Sequence, residues 1–165
     1  YTALNPTRRS SDLHQLFLYV FLFGGPAVNP VFAEIWSDTW NSHDANAIVR
    51  LYADDGIHRM AAGSTYEGAE ELRAMVDRSL RGYPDLHFLI REYQGPSAED
   101  FWERFVIEYT MTGTQREAIG DRAGTGKSIK IDGAMIGKLD ASHRIQRCTD
   151  YLDHHSIRQQ LGLID

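Results

Sequence analysis

The stretch RIQRCTDYLD, residues 144–153, determines the fold class that we predict for this chain. Its residues alternate with a period of two, which is typical of a β-strand with one face against a core. Two carboxylates, Asp150 and Asp153, occur near the end of this predicted strand. Burying an unpaired, ionised carboxylate is costly, so an acid on the inward face indicates a function. We therefore expect the rest of the chain to build a pocket around these acids.

The periodicity of the chain changes from helical to strand-like near Leu86. Before that point we predict a helix over 30–41, a short second helix that starts at the cap Asp44 and ends within 53–56, and a third that starts near Gly68. After it, alternation predicts four strands, at 86–93, 101–112, 127–139 and 145–152. Helices followed by a strand meander predict an α+β domain, in which about three N-terminal helices cover one face of a mostly antiparallel sheet.

The composition of the chain excludes several classes of protein. With 165 residues, of which 42% are hydrophobic, it is long enough for one domain with one core. A net charge of −6, with 17 scattered basic residues, gives no positive surface for a phosphate backbone, so nucleic acid is not expected as a partner. The single cysteine, Cys148, excludes an internal disulfide and a cysteine-based zinc site. We expect no metal and no cofactor, and a cytoplasmic location is favoured over secretion.

Residues 1–29 differ in character from the rest of the chain. They contain two adjacent arginines and an apolar run from Leu16 to Phe23. This run is too short to cross a bilayer, although it matches the core of a secretory signal. We interpret 1–29 as a flexible or non-native N-terminal segment, with a signal remnant as the alternative, and 30–165 as the domain. No association with a membrane is expected.

Six short motifs resemble, in order and spacing, those of SnoaL-like proteins. They are WNSHD at 40–44, LYADD at 51–55, YPDL at 83–86, MTGT at 111–114, TGK at 125–127 and QLG at 160–162. The SnoaL-like family belongs to the nuclear transport factor 2-like superfamily and includes polyketide cyclases. The resemblance covers Pro30 to the C-terminus. It implies a cone-shaped fold, in which a strongly curved sheet wraps against helices and encloses an apolar cavity, often within a dimer.

The resemblance also implies which residues carry chemistry. In SnoaL-like cyclases an aspartate late in the last strand is the general acid/base, and both Asp150 and Asp153 match this position. Limonene-type epoxide hydrolases carry a similar Asp-Tyr-x-Asp run whose first acid activates water, which favours Asp150. Burial of that carboxylate would raise its pKa toward neutrality. The alternative is structural, with either acid capping a C-terminal helix or pairing with Arg147. His58 lies where related sequences carry a histidine that would share a proton with Asp150.

This chain matches the active-site residues of the epoxide hydrolases only in part. Arg104 resembles their active-site arginine, but Val106 stands where their proton-donating acid is expected, and His58 and Met60 replace a water-holding tyrosine and asparagine. Opening an epoxide without that donor would leave the developing alkoxide uncompensated. The residues predicted to line the substrate pocket are Trp36, Trp40, Met60, Phe105, Tyr109 and Met135.

These observations favour a cofactor-independent acid/base enzyme of the cyclase or isomerase type, acting on a hydrophobic, carbonyl-bearing small molecule. One alternative is a limonene-type epoxide hydrolase. Another is a non-catalytic module that binds small molecules, because one fold serves many functions. The outer face of so curved a sheet would keep apolar residues that a monomer leaves exposed, so a homodimer through the sheet is expected.

Overall fold

The structure is a computed structural model that describes residues 30–95, 103–117 and 123–164. The prediction for residues 1–29 lies outside the described residues. The elements, in chain order, are α1 (Pro30–Asn41), α2 (Ala45–Arg50), β1 (Tyr52–Met60), β2 (Thr65–Glu67), α3 (Gly68–Gly82), β3 (His87–Gln94), β4 (Arg104–Thr114), β5 (Ser128–Leu139), β6 (Ile145–Leu152) and α4 (His154–Gln160). No helix in these ranges is long and apolar enough to cross a membrane.

The helices begin where the sequence provides caps. Asp44 precedes α2 and its carboxylate accepts from the backbone N–H groups of Asn46 and Ala47. At the start of α3, Gly68 takes φ +75°, and Glu71 in the first turn accepts from the backbone N–H of Glu67. The predicted bounds of α1 and the predicted start of α3 are confirmed to within a residue or two.

The predicted second helix is wrong in its last part. We expected it to continue through Tyr52 and end within 53–56, but α2 ends at Arg50 and β1 starts at Tyr52. The pairing of β1 with β6 shifts register between Tyr52 and Ile57. A Cβ on Gly56 would lie 2.8 Å from the carbonyl oxygen of Ala53, so this irregularity requires glycine. The Ala-Asp-Asp-Gly run is a bulge inside a strand rather than a helix end.

Within the described residues, six strands form one sheet in the order β2-β1-β6-β5-β4-β3. β1 runs parallel to β6, and every other neighbouring pair is antiparallel. The predicted α+β class, with a curved and mostly antiparallel sheet packed against helices, is confirmed. The parallel pair has a functional consequence, because it places His58 opposite Cys148 and Met60 opposite Asp150.

The core lies between the sheet and the helices that cover it. α1 packs on β3, and α3 packs on β1. Trp36 of α1 lies with its ring centroid 4.9 Å from that of Phe88 on β3 and 5.5 Å from that of Tyr109 on β4. These aromatic contacts fix α1 across the strands that carry the candidate site.

Candidate active site

Asp150 lies on β6 with its side chain directed into the protein, and the residue is 9% exposed. The hydroxyl of Tyr109, on β4, donates a hydrogen bond to Asp150 Oδ1. The side chain itself keeps 13% of its surface accessible, so the carboxylate is partly open rather than sealed. An inward-facing acid with a neutral donor, instead of a paired cation, has the character of a reactive group.

His58, on β1, is the second titratable group of the site and is 4% exposed. Its Nδ1 lies 2.9 Å from the Tyr52 hydroxyl and 3.3 Å from the Cys148 sulfur. Both neighbours can donate, so we assign Nδ1 as the acceptor and place the ring hydrogen on Nε2. Nε2 in turn lies 3.3 Å from Met60 Sδ and 3.9 Å from Asp150 Oδ2.

Burial moves the pKa values of these two groups in opposite directions. Desolvation raises the pKa of Asp150 to about 6, and the hydrogen bonds from Tyr109 and the Tyr151 backbone N–H offset only part of that rise. Desolvation lowers the pKa of His58 to about 4. The distance of 3.9 Å would permit an ion pair, but burial favours the neutral forms of both groups. At neutral pH the site therefore holds a carboxylate beside an uncharged imidazole.

The remaining polar groups of the cluster stay protonated. Burial, followed by the charges of nearby acidic groups, raises the pKa of Tyr52 and that of Tyr109 well above the usual value. Burial also raises the pKa of the Cys148 thiol, so this cysteine is not a nucleophile near neutral pH. Among the described residues, no group of three or more His, Cys, Asp and Glu side chains is placed to hold a metal ion. Asp150 is the one group of this cluster that changes charge near pH 6.

Two predicted catalytic residues lie away from this cluster. Arg104 is exposed on β4, where alternation turns Phe105, Ile107 and Tyr109 inward and leaves Arg104 and Val106 on the outer face. Asp153 is also exposed, and its carboxylate caps α4 by accepting from the backbone N–H of Ser156 at 3.0 Å. The expectation that either residue acts beside Asp150 does not fit this geometry, and for Asp153 the capping alternative does.

The predicted pocket residues fall into two groups. Tyr109, Met135 and Met60 lie next to the carboxylate, since Met135 and Met60 are the register partners of Asp150 on the two neighbouring strands. The aromatic residues Trp36, Trp40 and Phe105 belong to the hydrophobic core. The roles of Tyr52 and Cys148 as partners of His58 were missed, because no periodicity in the sequence shows that β1 pairs with β6.

A cleft of about 260 Å³ lies elsewhere, at the start of β1, and Arg50, Asp54 and Arg144 are among the residues that border it. The guanidinium of Arg144 is already paired with Asp54 at 2.8 Å and with Asp140 at 3.3 Å. Neither Asp150 nor His58 borders this cleft. We therefore take the Asp150 cluster as the candidate site.

Residues 33–148 match the SnoaL-like domain family, and the chain belongs to this family. The match ends at Cys148, so the role of Asp150 is argued from its geometry. No curated protein matches the sequence.

Solved structures share the fold at low identity. One is a hypothetical protein with a ketosteroid isomerase-like fold from Catenulispora acidiphila, in complex with trimethylamine, which is 21% identical with a TM-score of 0.67 over 81% of this chain and 93% of the other. Another, assigned as a SnoaL-like polyketide cyclase from Jannaschia sp. CCS1, is 11% identical with a TM-score of 0.66 over 99% and 100%. The epoxide hydrolase/cyclase-like enzyme SalBIII, of pyran ring formation in salinomycin, is 13% identical with a TM-score of 0.62 over 78% and 95%.

Proposed function

We propose that this chain is a cofactor-independent acid/base enzyme of the cyclase or isomerase type that acts on a hydrophobic, carbonyl-bearing small molecule. The observation that supports this most is the buried carboxylate of Asp150, whose pKa is raised to about 6 and which has a neutral hydrogen-bond donor instead of a cation. A base is most effective when its pKa lies near the working pH. The surrounding Met60, Tyr109 and Met135 favour an apolar substrate.

The proposed chemistry begins with proton transfer from carbon to Asp150. The carboxylate takes a proton from the carbon next to the substrate carbonyl, and the C–H electron pair stays on the substrate and forms an enolate. The proton remains on Asp150. In an isomerisation the proton returns to another carbon. In a cyclisation the enolate carbon attacks a second carbonyl of the same molecule, and the proton goes to the resulting alkoxide. The Nε2–H of His58, 3.9 Å from Asp150 Oδ2, is the donor we propose for the developing oxyanion.

This proposal predicts exchange of carbon-bound hydrogen in a simple probe. In D₂O, 2-tetralone should exchange its α-hydrogens faster with the protein than without it, as followed by proton NMR. The protein-dependent rate should fall about tenfold per pH unit below about pH 6, because Asp150 is then protonated. The control Arg104→Gln, at an exposed outer position, should retain the rate.

Two other outcomes of the same assay would contradict the proposal. Quenching of tryptophan fluorescence by 2-tetralone without any exchange would support the non-catalytic binding module. Hydration of limonene oxide in place of exchange would support the epoxide hydrolase alternative, which the likeness to SalBIII favours and the outward position of Arg104 weakens.

We also propose that two copies of the chain associate through the outer face of the sheet. This face exposes Leu89, Ile136 and Tyr151, of which the last two lie on the neighbouring strands β5 and β6. Large apolar side chains left exposed together are typical of an interface.

Light scattering on the protein at about 10 µM should therefore give the mass of a dimer. This expectation assumes a dissociation constant in the micromolar range or below. Ile136→Glu should shift the mass to that of a monomer, because each copy would then bring an unpaired negative charge into the apolar interface. Ala141→Glu, in the exposed turn between β5 and β6, is the matched control and should leave the dimer intact. A monomeric mass for the unmodified protein would contradict the proposal.

A further inference from the structure

We propose that Tyr109 and Gly133 act together as positioning residues for Asp150. The missing side chain at Gly133 opens a path across β5, through which the ring of Tyr109 reaches β6 and holds one oxygen of the carboxylate. The Oδ2 atom, on the side of His58, is then the oxygen that accepts the proton of the substrate. The role of Oδ2 as proton acceptor rests on the proposed function, whereas the positioning of Asp150 by Tyr109 and Gly133 does not.

The strand order shows why such a path is needed. Tyr109 lies on β4 and Asp150 on β6, with β5 between them. Two strand spacings separate β4 from β6 by about 10 Å, which is too far for side chains that stand upright on the sheet. Tyr109 is the register partner of Gly133, and Asp150 that of Met135. The phenol ring therefore leans over Gly133 to place its hydroxyl at Asp150 Oδ1.

The space above Gly133 is filled by this ring. A Cβ at residue 133 would lie 2.8 Å from both Cε2 and Cζ of Tyr109 and 2.7 Å from Cδ2 of Leu152. Real Cβ atoms do not approach other heavy atoms so closely, so both the ring of Tyr109 and the end of Leu152 would have to move. Gly133 has no positive φ, so the position requires glycine for space rather than for backbone conformation.

The two oxygens of the Asp150 carboxylate have different surroundings. Oδ1 accepts the hydroxyl of Tyr109, while Oδ2 lies 3.9 Å from His58 Nε2. A carboxylate held at one oxygen keeps its orientation when the other gains a proton, which is what repeated proton transfer requires. Tyr109 acts here through Asp150, so it is a positioning residue and not a catalytic one.

The test is a carbon-13 NMR titration of the Asp150 carboxyl in protein labelled at aspartate. Tyr109→Phe removes only the donor and should raise the pKa of Asp150 by about one to two pH units, the shift expected when a charged group loses a hydrogen bond. Gly133→Ala should raise it by a similar amount because the ring is displaced. The double variant should titrate like Tyr109→Phe alone, because both changes remove the same hydrogen bond.

Gly137→Ala is the matched control. It adds the same methyl group to the same strand, four residues away, where the Cβ would clash with the ring of Phe105 and with the carbonyl oxygen of Arg147 instead of Tyr109. It should leave the pKa of Asp150 unchanged. An unchanged pKa in Tyr109→Phe, an equal rise in Gly137→Ala, or additive shifts in the double variant would each overturn the proposal.

The titration also separates this proposal from the proposed function. If 2-tetralone exchanges no hydrogen but the NMR shifts appear, the positioning pair stands and the enzymatic role fails. If exchange occurs but Tyr109→Phe leaves the titration unchanged, the positioning pair fails alone. Should Gly133→Ala not fold, the titration of Tyr109→Phe decides the outcome, since that variant loses only one oxygen atom.

Discussion

Replacing Asp150 with asparagine should lower the rate of proton transfer by about 10²- to 10⁴-fold, the range for loss of a general base. Asparagine keeps the shape of the side chain, and its Oδ1 can still accept from Tyr109. It cannot take up a proton near neutral pH. The exchange assay with 2-tetralone measures this loss directly.

The same variant should be more stable than the unmodified protein at pH 8. The carboxylate is ionised there at a site where burial raises its pKa to about 6 from the ordinary 3.8, so the native state carries an electrostatic penalty of about 3 kcal/mol. Removing that penalty should raise the melting temperature by about 5 to 10 °C. The gain should vanish near pH 4, where Asp150 is protonated in the unmodified protein as well.

Asp153→Asn provides the control for this experiment. It makes the identical chemical change three residues later, at the exposed cap of α4, where asparagine also caps well. Both the melting temperature and the exchange rate should stay close to those of the unmodified protein. If Asp150→Asn melts several degrees below the unmodified protein and still exchanges the hydrogens of 2-tetralone, Asp150 is a structural residue.

Part of this site could be predicted because it is local in the sequence. The alternation in 145–152 indicated β6, and an acid on its inward side stood out against the apolar positions around it. The helices α1 and α3 carried their own apolar spacing, and α2 carried its own cap, Asp44. Signals of this kind depend on neighbours within one or two turns, so a single sequence contains them.

The parts that could not be predicted depend on register. The outward position of Arg104 is not one of these parts, because the alternation of Phe105, Ile107 and Tyr109 along β4 already places it on the opposite face. The contact of Tyr109 with Asp150 requires knowing that Gly133 lies opposite Tyr109. The partners of His58 follow from the parallel pairing of β1 with β6, which joins segments about 90 residues apart. None of these relations leaves a periodic trace.

His58 and Asp150 together show how burial can reverse an expected ion pair. In water at pH 5 an imidazole is protonated and a carboxylate is ionised, whereas here burial favours a neutral imidazole and a protonated acid. The native and unfolded states then hold the same number of protons on this pair between about pH 4 and pH 6. The pair as a whole therefore adds almost no pH dependence to stability in this range.

Single substitutions should separate the contributions that His58 and Asp150 make to the pH dependence of stability. His58 has a lowered pKa in the native state, so its contribution to stability is full above pH 6.5 and is lost as the pH falls toward 4. Asp150 has a raised pKa, so its contribution is full below 3.8 and is lost as the pH rises through 6. Each contribution amounts to about 3 kcal/mol over its window.

His58→Gln should therefore gain stability relative to the unmodified protein as the pH falls from 6.5 to 4, whatever constant loss of packing it also causes. Asp150→Asn should gain in the opposite direction, as the pH rises from 4 to 6. Urea unfolding followed by circular dichroism at pH 4.5, 5.5, 6.5 and 8 measures both trends. An imidazolium–carboxylate ion pair would raise the pKa of His58 and lower that of Asp150, which reverses both signs. If both variants changed stability with pH in the opposite directions, burial would not favour the neutral forms of His58 and Asp150. The proposed base would then fail, because it depends on a carboxylate beside a neutral imidazole.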